Sequence, residues 1–153
     1  MALSLVVGVG AGFGAAALIY ALRLVSGVVS RTADATTLEQ SLAFLVIPIG
    51  FWLAWALAAK WAPEAAGHGV PQILAALTLR GGRIAPRIPV IKTIATALTI
   101  GVGGSAGREG SIAQIGSGIG SFVGTLTRLG ESERRALVAA GAGAGIAATF
   151  NAP

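Results

Sequence analysis

The sequence predicts an all-α, polytopic membrane protein whose helices are partly broken and re-entrant. Three observations carry that prediction. Hydrophobic residues make up 54% of the 153-residue chain and charged residues only 11%, against about 25% charged in an ordinary soluble domain. Charges are missing altogether from residues 1–22, 40–59, 93–107, 110–127 and 136–153. Alanine and glycine together exceed a third of the chain, a density of small residues that lets helix backbones approach closely in lipid. The mean hydropathy of +0.80 agrees. This composition excludes an ordinary soluble enzyme and also a disordered chain, which needs low hydrophobicity and high charge.

The first element is a full crossing over residues 2–24, long enough for the roughly 20 apolar residues a span requires. It reads as a span and not a signal peptide, because no basic segment precedes it and Arg23 and Arg31 follow as stop signals. Gly10-Ala-Gly12-Phe-Gly14-Ala15 formally satisfies the G-x-G-x-x-A dinucleotide fingerprint, and Asp34 stands roughly where its acid belongs. A membrane-bound nucleotide-dependent enzyme would follow from it. That fingerprint needs a preceding strand and a βαβ unit, and nothing downstream reads as parallel sheet, so a close-packed membrane helix is preferred.

Asp34-Ala-Thr-Thr37 breaks the pattern, and a second crossing follows over residues 39–61. It contains Pro48 and ends in Trp52, Trp55, Lys60 and Trp61, side chains suited to an interfacial anchor. A short re-entrant helix is expected at Val70–Leu79, opened by Gly67-His68-Gly69-Val70-Pro71-Gln72. Proline suits a first helical turn, where its missing N–H would be unpaired anyway.

Two half-length segments come next, over residues 89–102 and 110–127. They meet at Gly101, Gly103, Gly104 and Gly107, followed by Arg108-Glu109. Irregular backbone at membrane depth is tolerated only where it is buried in protein or lines a cavity, and paired interrupted segments mark transporter binding sites. Ser111 is available as a cap for the second segment. Gly116, Gly120 and Gly124 form a small-residue stripe, assigned to packing within the chain. The last helix spans residues 132–150, after the capping-type run Gly130-Glu-Ser-Glu133.

Loop charge sets the expected orientation. Arg80, Arg83, Arg87 and Lys92 lie between residues 78 and 92 without an acid, which places that loop, and with it the N-terminus, in the cytoplasm. The weaker bias of residues 128–135 fits the outside if residues 92–127 cross once in two pieces. A net charge of +5 suits a bacterial-type inner membrane with anionic lipid, and no basic block points to nucleic acid. With no cysteine, one histidine and six acids, neither a catalytic residue, a metal site nor a cofactor is expected.

Both Gly-rich turns, residues 67–72 and 107–111, open helices. A helix N-terminus carries partial positive charge and spare N–H donors. Two in one bundle can strip an anion of water and hold it by dipoles.

GHGVP (67–71), GREGS (107–111) and AAGAGAGIAATFNAP (139–153), together with QIGSGIGS (114–121), resemble the signatures of the CLC family of chloride channels and chloride/proton antiporters. The motifs fall in order and at the family's spacing, strongly over residues 67–153. The resemblance implies a homodimer in the lipid bilayer, with one pathway per subunit built from two inverted-topology halves. Chloride or another small anion is then the transported ligand, with or without coupled protons.

By position, Glu109 matches the gating glutamate, whose carboxylate can replace chloride at an anion site. Gly107, Arg108, Gly110, Ser111 and Ile112 match the backbone around the outer sites. His68 matches a serine that contacts the central anion, and Gly67, Gly69, Val70 and Pro71 complete that turn. An imidazole at residue 68 either donates to the anion or faces an aqueous vestibule and binds nothing. Glu109 is alternatively the partner of Arg108 at a solvated turn. Gln72 stands where the family often has glutamate, and Ser111 where it has proline.

The sequence stops where the family pattern continues, so residues 1–153 are expected to be a partial transmembrane domain, the first inverted repeat without the second. The function expected is anion transport. The competing reading, from another class, is a non-conducting interaction half-subunit that needs the missing C-terminal half for activity.

Overall fold

The computed structural model describes residues 2–33, 37–150 and 152, with the side chains of 31–33 and 37–44 excepted. The break expected at residues 34–37 falls largely outside the described residues, as do Asn151 and Pro153 of the closing motif. The described residues form helices α1 (Ala2–Ala33), α2 (Thr37–Trp61), α3 (Val70–Leu79), α4 (Arg87–Gly101), α5 (Glu109–Leu126) and α6 (Glu131–Phe150), with a 3-10 turn at Pro63–Ala65. No strand occurs among them, so the all-α expectation holds.

Helix α1 runs well past the expected end at residue 24. Arg23 ends the apolar window but not the helix, because nothing in the next ten residues breaks it. The Ser26 and Ser30 hydroxyls donate back to the Arg23 and Gly27 carbonyls, each at 3.3 Å. Its segment Ala2–Ser30 is long and apolar enough by itself to cross a membrane. Leu5, Phe13, Tyr20 and Val28 on α1 and Trp52 and Trp55 on α2 are mostly exposed. Contiguous apolar surface of this kind demands lipid or a partner.

The core is a glycine seam between α5 and α6. A Cβ at Gly116 would stand 2.1 Å from the Gly141 carbonyl oxygen, and one at Gly141 2.2 Å from that of Gly116. At Gly120 it would meet Leu137 O at 2.2 Å. The small-residue stripe therefore packs within the chain, as expected. On the opposite side, Gly10 and Gly14 of α1 receive Ile119 and Ile115, which makes the N-terminal glycine run helix packing and not a nucleotide loop. Ala15, Leu18, Ala97, Ile112 and Ile115 form the apolar cluster beneath the seam.

Two expectations are corrected by these contacts. First, residues 92–127 do not cross once in two pieces. Helices α4 and α5 lie antiparallel: Pro89 packs on Gly118, while Thr96, about two turns further along α4, meets Ser111, the same distance back along α5. The Gly-rich junction is a reversal, not a kink. The loop after α3 and the start of α6 consequently share one end of the molecule, where Arg134 Nε donates to Gly81 O at 2.8 Å and Glu131 packs on Gly81. Residues 80–92 and 130–134 cannot face opposite sides.

Second, Lys92 is no loop residue. It sits inside α4, 4% exposed, because the helix starts five residues earlier at Arg87. The capping reading of residues 130–133 does hold: Gly130 N–H donates to Glu133 Oε2 at 3.2 Å, half of a capping box.

Candidate functional site

The turns before α3 and α5 meet backbone to backbone. Gly69, the residue before α3, adopts φ +93°, a left-handed conformation open to glycine. A Cβ there would lie 2.6 Å from Gly110 O, and a Cβ at Gly110 would lie 2.0 Å from His68 O. Only two glycines let the helix starts approach so closely. Beside them opens a cavity of about 450 Å³.

Gly67, His68, Gly107, Glu109, Gly110 and Ser111 line this cavity, joined by Lys92, Thr96 and Thr99 of α4 and Phe51 and Trp55 of α2. Trp55, mostly exposed on its outer side, also contributes to the cavity wall. The other expected site residues lie outside it. Gly69 is buried behind the turn, and Val70, Pro71 and Arg108 are exposed elsewhere. Ile112 is fully buried in the apolar cluster.

Ser111 is not the cap of α5. The helix begins at Glu109, with Arg108 preceding it and no side-chain cap. The Ser111 hydroxyl instead accepts from Thr96 Oγ1 at 3.0 Å, tying α5 to α4 at the cavity wall. The first intrahelical bond of α5 is Ile112 N–H to Arg108 O. The N–H groups of Glu109, Gly110 and Ser111 therefore have no carbonyl of their own helix to meet, as at any helix start. In α3 the first such bond is Ile73 N–H to Gly69 O, and Pro71 contributes no donor.

Lys92 is the cavity-lining charged residue that sequence reasoning missed. Its ammonium donates to Ala65 O at 2.9 Å and Gly67 O at 2.5 Å, and it makes no ion pair among the described residues. A charge inside an apolar helix at this depth costs roughly 2.5–3.5 kcal/mol. The detectable signal was a lysine flanked by Val90-Ile91 and Thr93-Ile94, obscured by the arginines upstream. Glu109 is exposed to the cavity and forms no ion pair with Arg108 among the described residues, which removes the main argument for a purely structural pairing. His68 is also exposed at the cavity wall.

The arrangement combines two helix starts, one buried lysine and one exposed carboxylate around open volume. Such a site can bind a small anion and can be occupied by its own carboxylate.

Comparison with known proteins adds three findings. The family described as Voltage gated chloride channel matches residues 49–153. The H(+)/Cl(−) exchange transporter ClcA of Citrobacter koseri is 39% identical over 132 residues, which cover 83% of this chain and 27% of that protein. The crystal structure of a slow cyanobacterial Cl−/H+ antiporter superposes with a TM-score of 0.75 at 29% identity, covering 98% of this chain and 35% of the other. The chain thus spans about a quarter to a third of the length of these relatives.

Proposed function

The chain belongs to the voltage-gated chloride channel family, and from that premise we propose that it forms the first half of a membrane-embedded anion pathway. The observation that carries the proposal is the meeting of two Gly-rich helix starts with Lys92 and Glu109 around one cavity. Chloride is the proposed ligand. First-turn amides of α5 solvate it, Lys92 supplies the full positive charge, and the Glu109 carboxylate competes for the same donors. A homodimer and a second half completing each pathway belong to the same reading. So does proton exchange, the activity for which both relatives are named.

The complete protein, reconstituted in liposomes loaded with chloride, should release chloride and move protons against it. The 153-residue chain alone should bind anion without sustained flux. Sustained flux from the short chain would refute the need for a second half, and its absence from the complete protein would refute anion transport.

Lys92→Met should weaken chloride binding to the complete protein roughly tenfold or more, since about 1.4 kcal/mol of lost attraction is a factor of ten. Lys92→Arg should retain more of the affinity. Calorimetric titration with chloride measures both, and equal affinity in wild type and Lys92→Met would exclude the ammonium from the site.

The shared end of the molecule also revises the orientation. Arg80, Arg83 and Arg87 now stand with Arg128, Arg134 and Arg135, against Glu131 and Glu133. The positive-inside rule assigns that whole end to the cytoplasm, and the start of α1 with it, since Gly10 packs against the C-terminal half of α5. Cysteines introduced as Arg83→Cys and Ser132→Cys should react with an impermeant thiol reagent from the same, cytoplasmic, face of a bacterial inner membrane. Labelling from opposite faces would contradict the antiparallel α4–α5 pair.

A further inference from the structure

Gly67, Gly107 and Gly110 line the cavity, and two of them have a backbone reason to be glycine. Gly67 holds φ +78°, in the left-handed region that favours glycine. Gly110 presses on the His68 carbonyl. Gly107 has neither reason. Its φ is not positive, and beyond its chain neighbours a Cβ there would meet no backbone atom within 4 Å. It would meet one side chain only, Glu109 Oε2 at 2.3 Å and Glu109 Cδ at 3.5 Å. The glutamate folds back over the turn that precedes its own helix. Its carboxylate fills the space that a side chain at residue 107 would need.

In that position the carboxylate is off the helix-start donors. It accepts no hydrogen bond from the N–H groups of Glu109, Gly110 or Ser111, nor from any other described residue. The geometry points to Gly107 as the positioning residue of the Glu109 carboxylate: the missing side chain is the seat in which the carboxylate rests while chloride holds the α5 amides. This inference deepens the proposed function and rests on it. A seat off the donors matters because apparent affinity falls with the fraction of molecules whose site is free to bind. The seat is made of space and not of charge, so a single methyl group fills it. Gly107→Ala meets no backbone and takes away the resting place alone. The nearest unmet donors along the chain are the amides of Glu109 itself and the two residues after it, and the carboxylate is driven onto them.

Solid-state NMR of the complete protein in lipid bilayers, with carbon-13 at Gly107 Cα and Glu109 Cδ, reads the seat directly and needs no variant. In saturating chloride a strong through-space cross-peak should join the two carbons, and its absence would overturn the inference. Calorimetric titration with chloride supplies the second readout. Gly107→Ala should weaken chloride binding roughly tenfold, the effect of a carboxylate that occupies the amides about nine-tenths of the time. Added to Glu109→Ala, the same substitution should change nothing, because no carboxylate remains to be displaced. An equal loss in both backgrounds would mean that the methyl obstructs the anion itself, and unchanged affinity in Gly107→Ala would mean that the carboxylate needs no seat; either ends the inference. A wild-type protein that binds no chloride would refute the anion reading instead, and the cross-peak would still decide whether the carboxylate sits on Gly107.

Discussion

Gly110→Ala should eliminate anion transport by the complete protein and destabilise it by about 3 kcal/mol, at or beyond the upper end for overpacking in a closely fitted interior. The added Cβ would stand 2.0 Å from His68 O and 3.1 Å from His68 C, both backbone atoms and neither able to swing away. The turn that carries them is held twice. Lys92 grips Gly67 O, and Gly69 is already against Gly110 O in a left-handed conformation. Relief therefore requires one helix start to retreat by about an ångström, the scale on which anion-binding donors lose their geometry. Gly12→Ala supplies the control. Its Cβ meets nothing within 4 Å, and alanine inside a helix is favoured over glycine by roughly 0.5–1 kcal/mol. Thermal unfolding in detergent and chloride efflux from liposomes measure both variants. A Gly110→Ala protein with wild-type melting and flux would show that the two turns do not depend on their close approach.

Gly82 and Ser121 extend the same logic to the basic end of the molecule. The Ser121 hydroxyl donates to Gly82 O at 2.8 Å and accepts Ile84 N–H at 2.8 Å, so the loop after α3 is pinned to α5 from within. Contacts of this long-range kind explain why most expected helices fell close to the observed ones, α1 apart, while their arrangement did not. Helix ends are local matters of proline, glycine and capping: Val70–Leu79 was legible residue for residue, and α6 to within one residue. The reversal between α4 and α5 shows in Gly118 receiving Pro89 and in Thr96 meeting Ser111, pairs well apart in sequence whose meeting leaves no local trace. A charge-free stretch interrupted by glycines is compatible with a kink or a reversal, and only the long-range contacts distinguish them.

The candidate site divides along the same line. The two Gly-rich turns were visible because special backbone needs special residues, and six of the eleven expected residues line the cavity. Val70 and Pro71 carry the turn without facing that space. Lys92 fell inside the expected segment 89–102 but was counted with the loop arginines upstream, whereas in α4 it turns inward to two carbonyls.

On the proposed mechanism, Glu109→Gln should raise passive chloride flux through the complete protein, remove its acid dependence and abolish any proton coupling. The side chain stands on the first residue of α5 and on the cavity wall, at the positive end of the helix dipole. Its carboxylate offers the first-turn N–H groups a charged acceptor held by its own backbone, in competition with a dissolved halide. The structure gives it the freedom to leave: it is exposed and unpaired with Arg108 among the described residues. Protonation removes the charge that binds it to those donors, so acid should open the pathway in wild type. Glutamine has nearly the same shape but neither the charge nor a proton to exchange, so it competes weakly at every pH and carries nothing back. Chloride efflux and proton uptake recorded together from pH 4 to pH 8 separate these effects. The decisive outcome is a flat, elevated chloride flux without proton movement. A Glu109→Gln protein that keeps both the wild-type pH profile and intact proton exchange would remove this carboxylate from the pathway and leave Lys92 and the α5 amides as a binding site without a gate.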